Sequence, residues 1–251
     1  MPQFPKQVLE WSSQLIGSKC TKQLLIQQNL KNTECLKVAA SKTMGLGIVV
    51  GSGLVKLPQI YRIAASGSAE GVSFLAHFVE LIALSINFAY NLRSGNSFTT
   101  FGETVLVSAQ NAIIIGLLGV CSGQLVQTLL ISVVYSALMT ALLAPGTLDG
   151  ASLKYLQVMT IPLVAASRLP QLFRLLSSKQ IGQVSPLTVL LMSIGSTVRV
   201  FTAWQEMKAD KIVLAGAVVS CALNWAIALT ALALCSGKNQ KVSRAKARKH
   251  D

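Results

Sequence analysis

Long apolar runs separated by short polar segments dominate the chain between residues 44 and 235. The runs are continuous and show no period-2 alternation, which favours helices over barrel strands, since a helix satisfies its own backbone groups in lipid. Seven runs have about the length that crosses a hydrocarbon core of roughly 30 Å. They are Met44–Ile63, Val72–Leu92, Thr104–Val120, Gln124–Leu143, Leu153–Leu176, Pro186–Trp204 and Ile212–Cys235. The pattern predicts an all-α membrane protein with seven transmembrane helices.

Composition supports a membrane protein and argues against a soluble nucleic-acid-binding protein. The chain is 52% hydrophobic and only 12% charged, far from the composition of soluble globular domains. Its formal charge of +13 would suggest nucleic acid in a soluble protein, but no recognition motif accompanies it. Lys and Arg beside membrane spans, near anionic headgroups, account for the charge, so we expect membrane lipid as a partner and no nucleic acid.

The two ends of the chain are polar and basic. Residues 1–43 contain amphipathic stretches that predict an interfacial helix, and they show no apolar core of a signal peptide. Cys20 and Cys35 lie in this segment, and their spacing leaves a disulfide and two free thiols equally open. Residues 236–251 predict a disordered tail. Arg248 and Lys249 resemble a dibasic retrieval signal, which would place the tail in the cytosol and the N-terminus in the lumen; a plain basic tail is the alternative.

An internal repeat organises the spans. KLPQIYRI at 56–63 recurs as RLPQLFRL at 168–175, an offset of 112, and Val72-Ser73 recurs at 184–185 with the same offset. An offset of 114 pairs Gln110 with Asn224. Because four crossings separate the copies, the two units share one orientation and are parallel repeats. The predicted division is an N-terminal segment at 1–43, a first three-helix unit at 44–120, a linking helix at 121–150, a second unit at 151–235 and the tail at 236–251.

The duplicated Leu-Pro-Gln motifs in a 3+1+3 chain resemble the PQ-loop family, which includes SWEET sugar transporters, cystinosin and the KDEL receptor. The longer strings CLKVAASKTMGLGIVVGSGLVKLPQIYRI, SAEGVS, FGETVL, RVFTAWQE and SCALNW resemble the mannose-phosphate-dolichol utilisation defect family. That resemblance implies a non-enzymatic endoplasmic-reticulum membrane protein required for the use of dolichol-phosphate mannose and glucose in glycosylation and GPI-anchor synthesis. Binding, presenting or translocating the lipid would each serve this role, with glycosyltransferases as partners. The broader family also leaves open an alternating-access transporter of a small solute, such as a sugar or an amino acid, or a receptor.

The two prolines predict irregular backbone. Pro58 and Pro170 each remove a backbone donor and clash with the preceding turn, so each is expected to kink or break its span. Gln59 and Gln171 stand beside them and could satisfy the freed carbonyls or face a cavity. A packing kink would explain one proline, whereas the duplication favours a pair of hinges flanking a central path.

Charged residues inside the spans predict a ligand site. Lys56 and Arg168 lie near span ends, where they could snorkel, whereas Glu80 and Arg199 lie deeper. We expect an ion pair between Glu80 and Lys56. The offset places Met192 where Glu80 would recur, so Arg168 and Arg199 have no evident anion, and they favour a phosphate-bearing ligand.

Other polar and small residues in the spans complete the predicted site. Gln110 and Asn224 are candidates for contacts with sugar hydroxyls, because SWEET transporters use an asparagine pair in these helices. His77 is expected to be a hydrogen-bonded packing residue, and Gly47 and Gly51 are expected to allow close helix packing. No metal-ligand cluster, nucleophile with base or paired carboxylates is present in the sequence, so we expect no enzyme, no catalytic residue, no metal and no cofactor.

Overall fold

A computed structural model describes residues 5–29, 31–69, 72–144, 146–178, 186–206 and 210–247. These residues form ten α-helices and one π-helical turn, Lys22–Ile26, without strands. The helices are α1 Lys6–Ile16, α2 Ser18–Thr21, α3 Thr33–Ser52, α4 Leu57–Ser66, α5 Phe74–Arg93, α6 Phe98–Cys121, α7 Leu125–Leu143, α8 Gly150–Ser178, α9 Pro186–Glu206 and α10 Lys211–Ala247. The retrieval signal proposed at Arg248 and Lys249 lies outside the described residues.

The helices match an all-α protein that crosses a membrane several times. Within the described residues, five segments are long and apolar enough to span: 33–66, 74–93, 98–121, 125–143 and 211–234. Helices α8 and α9, with 29 and 21 residues, have the length to cross as well. We call the side on which α3 begins the N-terminal face and the opposite side the C-terminal face.

The segment before the first span is folded against it. Helix α1 is amphipathic, exposes 77% of Trp11 and contacts α3. A disulfide joins Cys20 to Cys35. The spacing of the two cysteines had left a disulfide and two free thiols equally open. Asn32 caps α3 by accepting a hydrogen bond from the backbone N–H of Cys35 at 3.1 Å. The chain therefore enters its first span from a covalently closed loop.

The first Leu-Pro-Gln segment breaks its span. Helix α3 ends at Ser52 and α4 begins at Leu57, with Pro58 in the first turn of α4, where its missing N–H costs nothing. Tight i to i−3 bonds, such as Leu54 N to Gly51 O at 3.1 Å, carry the chain between the two helices. The sequence predicted a kink or a break here, and the structure has a break.

The second segment keeps its helix. The backbone of α8 is helical from Gly150 to Ser178, straight through Pro170, so a second break is not present. The offset of 112 replaces Gly51 and Gly53 by Leu163 and Ala165, and glycine weakens a helix more than either. Helix α8 also contains Pro162, so its helical backbone continues past two prolines. The two copies of one motif therefore have different backbones.

The two units contact each other through equivalent pairs of spans. The first span of the first unit, α3, packs against the second span of the second unit, α9, and α5 correspondingly packs against α8. This exchange is the arrangement expected of parallel repeats related by an axis along the membrane normal. Each unit also has its own apolar cluster, centred on Ile114 and Leu118 in the first and on Val189 and Ile227 in the second.

Close helix packing falls on different glycines from those predicted. Gly47 and Gly51 face open space, and a Cβ on either would meet no atom within 4 Å. Gly45 is instead buried against α6, where a Cβ would lie 2.8 Å from the Thr99 carbonyl oxygen. The expectation for Gly47 and Gly51 was wrong because periodicity identifies a small-residue stripe without showing which member of the stripe faces the neighbouring helix.

Candidate ligand site between the repeats

A charged cluster forms where the first span breaks. The break places Lys56 just before α4, and its Nζ lies 2.6 Å from Glu80 Oε2 on α5. The same ammonium donates to Asn111 Oδ1 on α6 at 2.7 Å. Lys56 retains 11% side-chain exposure and Glu80 retains 43%, so the expected ion pair is present and its carboxylate is open on one side. Glu80 lies six residues into α5, about 9 Å from the C-terminal face.

His77 joins this cluster through both ring nitrogens. Nδ1 lies 2.8 Å from Asn111 Oδ1, and Nε2 lies 3.1 Å from Gln59 Nε2. A carbonyl oxygen accepts and an amide nitrogen donates, so these contacts match the hydrogen-bond pattern of an imidazole with its proton on Nδ1. His77 is hydrogen-bonded, as expected, and it connects the PQ glutamine to the Lys56–Glu80 pair. We call Lys56, Gln59, His77, Glu80 and Asn111 the PQ cluster.

Gln110 has a role that the sequence did not predict. Its Oε1 accepts from the backbone N–H of Lys56 at 2.8 Å, and its Nε2 donates to the Ser52 carbonyl at 2.9 Å. Nε2 also donates to the Leu106 carbonyl at 3.0 Å, and the residue is 5% exposed. The amide therefore joins both sides of the broken span and is unavailable for the sugar contact that we expected. Gln59, the other candidate for this role, binds His77 instead.

The second repeat contributes Arg168 to the same region. Arg168 interacts electrostatically with Glu80, so the charge of a cation in one unit acts on the carboxylate of the other. Among the described residues, no carboxylate lies within ion-pair distance of Arg168. Asn224 is buried, and its backbone oxygen accepts from Ser193 Oγ at 3.0 Å. The side chains of Pro170 and Gln171 lie outside the described residues, so the hinge role proposed for them stays a prediction.

A second polar cluster joins the units near the N-terminal face. Glu206, at the end of α9, lies 3.0 Å from Lys42 Nζ on α3 and accepts from Thr99 and Thr100 on α6 at 2.9 and 2.6 Å. Ser41 donates to its other oxygen at 3.0 Å. The side chain of Glu206 is 6% exposed, so its charge is both buried and fully partnered. We call Ser41, Lys42, Thr99, Thr100 and Glu206 the inter-repeat lock.

Arg199 lies beside the inter-repeat lock and forms an ion pair with a carboxylate. Its guanidinium pairs with Glu103 of α6 and donates to the Thr100 carbonyl at 2.6 Å. The expectation that Arg199 lacks an anion was wrong. Helix α6 begins at Phe98, six residues before the predicted span, so Glu103 lies one turn inside the helix rather than in a loop. The partner also comes from the other unit, which a search within one repeat does not reach.

A known family model matches both of the duplicated segments. The family model described as "PQ loop repeat" matches residues 40–100 and 153–210. The chain carries two PQ-loop repeats. The two matched segments contain Lys56 and Glu80 in the first and Arg168, Arg199 and Glu206 in the second. No solved structure matches the chain.

Sequence reasoning missed two groups in these PQ-loop repeats. Asn111 directly follows Gln110 inside an apolar run, and a buried amide in a span was a usable signal that we did not follow. Lys42 and Glu206 flank their predicted spans by two residues each and were not singled out. Their role depends on α3 meeting α9, which hydropathy does not reveal.

Proposed function

We propose that this PQ-loop membrane protein binds dolichol-phosphate-linked mannose or glucose in the endoplasmic-reticulum membrane and makes it usable for glycosylation and GPI-anchor synthesis. The phosphate would lie at the PQ cluster, the sugar next to it and the polyprenyl chain in lipid. Presentation to glycosyltransferases and movement across the bilayer are both compatible with such a site. The resemblance of the long sequence strings supports the identity of the lipid.

The observation that carries the proposal is the ion pair of Lys56 with Glu80 at the break of the first span, whose carboxylate also interacts electrostatically with Arg168 of the second repeat. Cations inside spans are costly and often mark functional sites. Here Lys56 lies 2.6 Å from Glu80, and Arg168 interacts with the same carboxylate from beyond ion-pair distance. Lysine offers three donors, and Lys56 uses two, on Glu80 and Asn111. A third donor and the Arg168 guanidinium are the groups that a phosphate prefers.

The disulfide supports the orientation. Disulfides form and persist in oxidising compartments, which include the endoplasmic-reticulum lumen. The Cys20–Cys35 bond precedes α3, so the N-terminal face would be lumenal and the PQ cluster would lie nearer the cytosolic side. In this orientation the lock would close the lumenal side.

The proposal is tested by binding of radiolabelled dolichyl-phosphate mannose to the full chain in nanodiscs. Lys56→Gln and Arg168→Gln should each weaken binding about tenfold or more, because each removes a charged phosphate donor. Lys154→Gln, on the exposed N-terminal part of α8, is the matched control and should bind like the wild type. Binding that survives unchanged in both site variants, with folding verified by thermal unfolding, would refute the anion site.

A transporter of a small solute is the second candidate, and the lock is the observation that favours it. Ion pairs and hydroxyl bonds between the repeats at one face, with an accessible carboxylate toward the other, resemble a closed gate opposite an open site. Solute counterflow of free hexose or amino acids in liposomes, without any binding of the lipid, would replace our proposal by this one.

A further inference from the structure

The charges around Glu80 favour one class of phosphate over another. Lys56 and Arg168 contribute two positive charges and Glu80 one negative charge, which leaves a formal charge of +1. His77, whose Nδ1 lies 3.8 Å from Glu80 Oε2, is counted as neutral, the form in which Nδ1 donates to Asn111 and Nε2 accepts from Gln59. Lys56 is only 11% exposed, and beside such a partly desolvated cation a bound anion of matching charge is favoured over one that leaves an excess.

Phosphate esters differ in charge by their substitution. A phosphodiester carries one negative charge, whereas a phosphomonoester carries about −1.5 to −2 at pH 7 because its second pKa is about 6. One diester would neutralise the site, but a dianionic monoester would leave it negative and face the Glu80 carboxylate. A sugar linked through phosphate to a polyprenol is a diester, and the lipid that remains after sugar transfer is a monoester.

We propose that Glu80 is the specificity-determining residue that makes this site select lipid phosphodiesters over lipid phosphomonoesters. The inference rests on the proposed function and adds to it the discrimination between the sugar-loaded lipid and the spent lipid. Glu80 is placed for this role: one carboxylate oxygen is held 2.6 Å from Lys56, while the side chain is four times as accessible as that lysine, 43% against 11%. An anion arriving at Lys56 therefore meets the carboxylate as its immediate neighbour.

The selection is measured as the ratio of two dissociation constants in nanodiscs at pH 7, for dolichyl-phosphate mannose and for dolichyl phosphate. The wild type should prefer the diester about tenfold, and Glu80→Gln should abolish or invert the preference by raising the site to +2. Glu80→Asp keeps the charge and should keep the preference. Glu34→Gln, an exposed carboxylate at the start of α3, is the matched control and should change nothing.

A measurement on the wild type keeps the inference testable even if Glu80→Gln does not fold. Lowering the pH from 7 to 5 converts the monoester into a monoanion but leaves the diester unchanged. Dolichyl phosphate should then bind more tightly at pH 5, relative to dolichyl-phosphate mannose, and approach its affinity. The charge of the diester is the same at both pH values, so any change in its binding reports protonation of the protein. That change is the reference against which the change for the monoester is compared.

The outcomes separate the two proposals. Equal binding of both lipids at pH 7, with a ratio that neither Glu80→Gln nor acidification changes, would overturn the selection and leave the lipid-binding function standing. Failure of the wild type to bind either lipid would overturn the proposed function and the selection together.

Discussion

The two PQ-loop repeats use the same Leu-Pro-Gln motif with different backbones. In the first repeat the span stops at Ser52 and restarts at Leu57, so that Lys56 lies free of the helix and reaches Glu80. In the second repeat α8 continues through the motif, and Arg168 is presented from a regular helix. The motif itself is therefore not what breaks the span.

The neighbourhood of the motif explains the difference. The first repeat has glycines before its proline and Gln110 on the facing helix, whose amide bonds the backbone on both sides of the gap. The second repeat has Leu163 and Ala165 in place of the glycines and Asn224 in place of the glutamine, with one methylene less reach. A break in lipid persists only if its backbone groups find partners, and Gln110 supplies them in the first repeat.

The largest expected effect comes from removing that partner. Gln110→Leu leaves the Ser52 carbonyl and the Lys56 N–H without their bonds, so we expect a loss of about 2–4 kcal/mol in unfolding free energy. Chemical unfolding in detergent micelles measures it. Asn224→Leu is the matched control in the second repeat and should cost less than half as much. Equal losses would show that Gln110 does not distinguish the repeats.

A smaller effect should follow from giving the second repeat the glycines of the first. Leu163→Gly with Ala165→Gly should cost about 1 kcal/mol per glycine and accelerate amide hydrogen exchange just before Pro170. Leu163→Ala, which removes the side chain but keeps a strong helix former, should leave exchange slow. If the glycine variant exchanges as slowly as the wild type, helix propensity does not decide which repeat breaks.

The smallest effect concerns the caps at the start of the first span of each repeat. Asn32 caps α3 and Asp149 caps α8, and the hydrogen bonds from the Ser152 side chain and backbone hold the pKa of Asp149 below its usual value. A lowered folded pKa means that the contribution of the cap is complete above the ordinary aspartate pKa and is lost as the pH falls through the lowered one. Thermal unfolding at pH 6 and pH 3 should therefore show a slightly smaller acid loss in Asp149→Asn than in the wild type, whereas Asn32→Ser should leave the acid loss unchanged.

Particular residues show how far sequence reasoning reached. The apolar helices, the repeat and the Lys56–Glu80 pair could all be predicted, because hydropathy, the offset and membership of the same unit are properties of the chain itself. Gln110 was recognised as a polar residue in a matching position, but its partner is backbone that only the break exposes. Arg199 was assigned to a ligand, although Glu103 of the other repeat neutralises it.

The sequence alone determined the all-α class, the spans and the parallel duplication, because each follows from the cost of leaving backbone or charge unpaired in lipid. Only the tertiary structure decided which repeat is broken, which arginine is already paired and which face the inter-repeat lock closes. These outcomes depend on which helices become neighbours, and α3 against α9 and α5 against α8 are contacts between residues more than 50 positions apart in the chain.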